Sequence, residues 1–160
     1  MQSLVVSLVM ARLDYCNAMI AELPDNQVSR LQSVLNAAAM LVFSARKYKA
    51  ISPLLCGLQW LRVPQWIEFK LAVLMYHCLL SMASPYLTDK LHRVADIDSR
   101  RRLRSASTLT LIVAPMRHSI IGDCALPVAA SSICNSLLSS VTLSTSLTAF
   151  RRFLKSELFL

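Results

Sequence analysis

Gln65-Trp66-Ile67-Glu68-Phe69-Lys70-Leu71-Ala72-Val73-Leu74-Met75-Tyr76-His77-Cys78-Leu79-Leu80-Ser81-Met82 predicts the strongest helix in the chain. Trp66, Phe69, Val73, Tyr76, Leu80 and the leucines between them occupy most of its circumference, while Glu68 and Lys70 mark an exposed start. A helix that is apolar on most sides has to be buried by neighbours. The charge-free run Leu71 to Thr88 contains His77 and ends at Ser84-Pro85. It is therefore at the short limit of the roughly 20 apolar residues that a membrane span needs. The other charge-free run, Cys124 to Phe150, carries Pro127, Asn135 and many serines and threonines. No membrane span is expected, and both runs read as buried amphipathic helices. His77 and Cys78 have no second ligand at a suitable spacing, which favours a core histidine over a metal ligand or catalytic base.

On the amino-terminal side, residues 2 to 22 read as a helix with Leu4, Leu8 and Leu13 on it, stopped by Pro24. Asp25 or Asn26 is placed to cap a second helix. Its Val28, Leu31, Leu35, Ala38, Ala39 and Val42 form one apolar stripe. Pro24 between the two makes an antiparallel helical hairpin the economical arrangement. Arg46-Lys47-Tyr48-Lys49 ends the second helix, where cations favour the carboxyl end of the dipole. Ser52 then serves as a cap with Pro53 at the first helical position. Trp60 sits among Leu58, Leu61 and Val63 and reads as core, whereas Trp66 beside Gln65 is balanced between packing and base stacking.

On the carboxyl side, Pro85-Tyr86-Leu87 begins a short helix reaching about Ala95. Residues 96 to 108 form a polar, arginine-rich loop, and Leu109 to Val113 has the content of a short strand. Helical patterning returns from His118. In the last helix Ser144 or Thr145 is the cap, Leu147, Phe150, Leu154 and Leu158 form the apolar side, and Arg151, Arg152 and Lys155 lie across from it. The expected fold class is mainly α, a helical hairpin and packed helices with a short strand near 109–113. The expected division is a helical region 1–95, a basic linker 96–108 and a second helical region 109–160.

The chain has 160 residues, of which 55% are hydrophobic and only 16% charged, which excludes a disordered composition. Cys16, Cys56, Cys78, Cys124 and Cys134 are odd in number and contain no Cys-x-x-Cys pair. That argues against a disulfide framework or zinc site and for reduced thiols in an intracellular protein, nuclear or cytoplasmic. Met1 to Ala11 is apolar but has no basic residue before it, unlike a secretory leader. A formal net charge of +8 points to polyanions, the RNA or DNA backbone first. The cations are grouped as Arg46, Lys47 and Lys49; as Arg100, Arg101, Arg102 and Arg104; and as Arg151, Arg152 and Lys155. These ten are the candidate nucleic-acid-binding residues. Asp96 and Asp98 flank Ile97 and run into Ser99 and three arginines, a solvated loop and no metal site.

A series of ordered fragments runs through the chain: Arg12-Leu13-Asp14-Tyr15-Cys16-Asn17-Ala18, Leu31 to Ala39, Ile51-Ser52-Pro53-Leu54-Leu55 with Leu58-Gln59-Trp60-Leu61, and Ile67-Glu68-Phe69-Lys70. Pro85-Tyr86-Leu87, Leu103-Arg104-Ser105, Gly122-Asp123, Val128-Ala129-Ala130 and Ser146 to Phe150 complete it. In this order and at these spacings the set resembles the segment that follows the polymerase palm in reverse transcriptases of LINE-type, non-LTR retrotransposons. The resemblance implies a helical thumb-like region and a C-terminal region that holds template RNA and target DNA, derived from an RNA-directed DNA polymerase. Polymerisation requires metal ions held by clustered aspartates, and the family's Tyr-x-Asp-Asp cluster does not occur among the nine acidic residues. No catalytic residue, cofactor, metal or small-molecule substrate is therefore expected. The partners implied are nucleic acid, a polymerase palm, or a second copy of the chain.

The sequence departs from the family at Cys134, where a tryptophan precedes asparagine, at Arg62, where a proline is usual, and at Ala50, near a usual histidine. It departs again at Cys124 and Leu126, where arginine and phenylalanine commonly follow Gly-Asp. Loss of large anchors predicts a C-terminal third that folds poorly. The alternatives are a helical interaction module that docks on a missing palm, and a decayed mobile-element product with no selected role.

Overall fold

A computed structural model describes residues 2–14, 24–45, 50–89, 91, 93–94, 110–113, 126–137, 144 and 146–159. Over these the chain is mainly α, with helices α1 (Gln2–Asp14), α2 (Asp25–Val42), α3 (Ile51–Gly57), α4 (Val63–Leu79), α5 (Pro85–Thr88), α6 (Leu126–Ser136) and α7 (Leu147–Leu158).

The stretch expected as a helix over 65–82 is α4, and it is the hub of the packing. It touches α2, α5, α6 and α7, and its buried side chains Val63, Ile67, Leu71, Ala72, Val73, Met75, Tyr76 and Cys78 lie on several sides. Three core clusters share it. Leu35, Ala38 and Ala39 of α2 and Leu54 and Leu55 of α3 meet Trp60, Val63, Ile67 and Leu71, with Val5, Val6 and Val9 of α1 packed against them. Ala72, Val73 and Tyr76 meet Phe150 and Leu154 of α7. Met75 meets Leu111 and the α6 residues Ala130 and Cys134. The stripe read on the second helix thus faces inward, and Trp60, 6% exposed, is core.

Polar side chains fix the joints. At the start of α4 the Arg62 N–H donates to Gln65 Oε1 at 3.1 Å, and the Val63 N–H donates to Gln32 Oε1 of α2 at 2.8 Å. First-turn N–H groups have no intrahelical acceptor, so each such bond satisfies a donor that would otherwise need water. The Tyr76 hydroxyl donates to the Ser144 carbonyl at 2.9 Å. Asn135 clamps both backbone groups of one residue: its Nδ2 donates to the Leu111 carbonyl and its Oδ1 accepts the Leu111 N–H, each at 2.9 Å.

Several helix limits differ from the sequence reading. Pro24 takes the cap position of α2 and makes no side-chain bond, so Asp25 is already in the first turn, where its charge suits the dipole. Ala50, in place of Ser52, precedes α3, and Pro53 stands third, where its missing N–H is one of those without an intrahelical acceptor. Ser146, in place of Ser144 or Thr145, caps α7: its backbone is extended and its Oγ accepts the Ala149 N–H at 3.2 Å. The helix expected to reach Ala95 ends at Thr88. Of the strand expected near 109–113, the described residues form one antiparallel bridge between Arg93 and Leu111, closed by the Val94 N–H on the Thr110 carbonyl at 3.0 Å. For the helix expected over 2–22, residues 15–22 lie outside the described residues, as does the linker 96–108.

Candidate nucleic-acid interface

The face that the structure presents most completely is on α7. Phe150 and Leu154, each 0% exposed, anchor the helix. Phe150 stacks on Tyr76 with ring centroids 4.4 Å apart. With that side held, the opposite side turns Arg151 and Arg152 to solvent and leaves Lys155 half-buried. Aromatic residues are interleaved with these cations. The Arg152 guanidinium lies 5.4 Å from the ring centre of Phe153, itself 48% exposed. Lys155 Nζ lies 6.0 Å from the ring centre of Phe159. Among the described residues no ion pair neutralises Arg151, Arg152 or Lys155. A cation over an aromatic face keeps its charge while the ring lends apolar contact, the combination that suits a phosphate strand with exposed bases.

Phe159 also joins this face to a half-open cleft of about 190 Å³, lined by Ser52, Leu55 and Cys56 of α3, by Trp60, by Arg62 and Gln65, and by Phe159 itself. Arg62 Nη2 donates to Ser52 Oγ at 3.3 Å, an exposed bond between two of its lining residues. Arg62 entered the sequence reading only as a departure from a family proline, and Phe153 and Phe159 did not enter it. The signal that was available is the spacing of two phenylalanines among Arg151, Arg152 and Lys155.

Of the ten basic residues singled out from sequence, Arg151, Arg152 and Lys155 are brought together on one helix. Arg46, Lys47, Lys49, Arg100, Arg101, Arg102 and Arg104 lie outside the described residues. Trp66 packs against the first core cluster. Its ring lies 5.9 Å from that of Phe69 and 4.9 Å from Lys70 Nζ, and its buried Nε1 has no hydrogen-bond partner among the described residues.

Titratable groups elsewhere respond to burial. Partial burial raises Glu68, burial raises Cys78, and burial pushes the Cys134 thiol up to about 11 against a smaller opposing pull from Arg93. Cys56, Cys78 and Cys134 are free thiols. Among the described residues no three His, Cys, Asp or Glu side chains converge as a metal site would require, and no helix is long and apolar enough to cross a membrane. Comparison with family models, with curated proteins and with solved structures gave no match.

Proposed function

We propose that this chain is a non-catalytic helical module, similar to the region after the palm of a LINE-type reverse transcriptase, that holds nucleic-acid backbone weakly and without reading base sequence. The observation that carries this reading is the α7 face. Arg151, Arg152 and Lys155, without an ion pair among the described residues, and the exposed Phe153 stand on a helix whose other side is locked by Phe150 and Leu154. The net charge of +8 and the sequence clusters at 46–49 and 100–104 support the same reading. Support for the non-catalytic part comes from the sequence, which lacks the Tyr-x-Asp-Asp cluster.

The test is binding of single-stranded RNA followed by fluorescence anisotropy over rising salt. Affinity should fall steeply, and replacing Arg151, Arg152 and Lys155 together by glutamine should lower the slope of log affinity against log salt by about 2, since each phosphate contact on a single strand contributes about 0.7. Salt-insensitive binding, or none at low salt, overturns the proposal.

A second reading, a helical module that docks on a polymerase palm or on its own copy, draws on a different observation. Leu4 and Leu8 of α1 and Val34 and Leu41 of α2, with Phe43 after it, are 44 to 67% exposed. A chain that stays monomeric at high concentration and binds no environment-sensitive apolar dye would count against it.

A further inference from the structure

We propose that the cleft beside Phe159 accepts one nucleobase of a single strand whose phosphates lie along Arg151, Arg152 and Lys155. The inference rests on the reading of the α7 face as a backbone-binding surface.

Size comes first. A dry cavity of roughly 150 Å³ holds one benzene ring, so a cleft of about 190 Å³ has room for one planar base and none for a base pair. Lining chemistry comes next. Trp60 and Phe159 are aromatic, whereas Arg62, Gln65 and Ser52 are polar. A free phosphate would leave the aromatic walls unused, and a purely apolar group would strip water from Arg62 and Gln65 with nothing in return. A nucleobase satisfies both, because it has a π-face and hydrogen-bonding edges. Gln65 Oε1 is already occupied by the Arg62 N–H at 3.1 Å, so its Nε2 hydrogens are the donors left for base acceptor atoms. The guanidinium of Arg62 supplies more donors and a flat surface for stacking.

Position makes the link. Phe159 belongs to the cleft and also lies under the Lys155 ammonium. A base entering the cleft therefore brings its own phosphate toward the basic face. Bases in a duplex are stacked and paired inward, so the arrangement selects single strands.

The experiment compares two strands of equal length and charge on the full chain at one low salt concentration: oligouridylate, and an abasic strand with the same phosphates. The base-bearing strand should bind roughly tenfold more tightly. Cys56, exposed on the cleft wall, allows the cleft to be filled: Cys56→Trp should erase that difference while the salt slope stays as in the native chain. Trp66→Phe leaves Trp60 as the one tryptophan, and its emission should change on adding oligouridylate and stay constant on adding the abasic strand. This reading does not depend on Cys56→Trp folding. Equal affinity for the two strands overturns the inference and leaves the backbone-binding reading standing. Absence of binding by either strand overturns both.

Discussion

Ser44, Gln59 and Ser81 adopt left-handed backbone angles, with φ of 46°, 58° and 55°. Each stands just past a helix end, and the next residue's N–H reaches back into the last turn: Ala45 to Met40, Trp60 to Leu55 and Met82 to His77, each at 2.9 Å. This closure normally uses glycine, because a Cβ in the left-handed region costs about 1 to 2 kcal/mol. The chain has two glycines in all and places neither there. Gln59 is exposed, so replacing it removes strain without removing packing. Gln59→Gly should raise stability by about 0.5 to 1 kcal/mol in urea denaturation, and a loss of stability would show that the side chain matters more than the angle. Cys134 supports a second expectation. Its folded value of about 11 lies above the ordinary 9.0, so the thiol's contribution is intact below about pH 9 and is lost as pH rises through 11. The denaturation midpoint should fall over that window, and Cys134→Ala should fall less. Parallel alkaline curves for the two would refute it.

At the scale of elements, α4 and α7 solve different problems. The first is apolar nearly all round and is buried by four helices. The second has one apolar side, which docks Phe150 and Leu154 against Ala72, Val73 and Tyr76 of α4, with Phe150 stacked on Tyr76. Truncating a buried phenylalanine typically costs about 3 to 5 kcal/mol, a large share of the 5 to 15 kcal/mol that holds a domain together. Phe150→Ala should cost that much and should weaken RNA binding, because Arg151 and Arg152 lose their mount. A cost below about 1 kcal/mol would mean that α7 is not docked as described. Helix identity was legible in α2 and α7 because their apolar spacing repeats every three to four residues, and in α4 because its apolar run is too long for a strand. Helix starts were less so. Asp25, Asn26, Ser144, Thr145 and Ser146 are all good capping types, and only backbone geometry distinguishes among them.

For the whole molecule, hydropathy and charge pointed to a packed basic domain, but neither says where charges gather. Arg151, Arg152 and Lys155 share a face because helical spacing puts them there, and this much follows from the chain itself. Arg62 and Phe159 line one cleft although they stand nearly a hundred residues apart, which no local pattern encodes. The Asn135 clamp on Leu111 is of the same kind, since a side-chain amide looks alike in sequence whether it binds water or a distant peptide. By itself, then, the order of residues determined the helices, the inward stripes and the basic side of α7, because period and polarity act over one or two turns. Tertiary structure alone decided which helices cover α4, how three helices close without glycine, and that a cleft opens at the end of the basic face. Those outcomes depend on which surfaces meet, and that is settled by the joint packing of α2, α3, α4, α6 and α7.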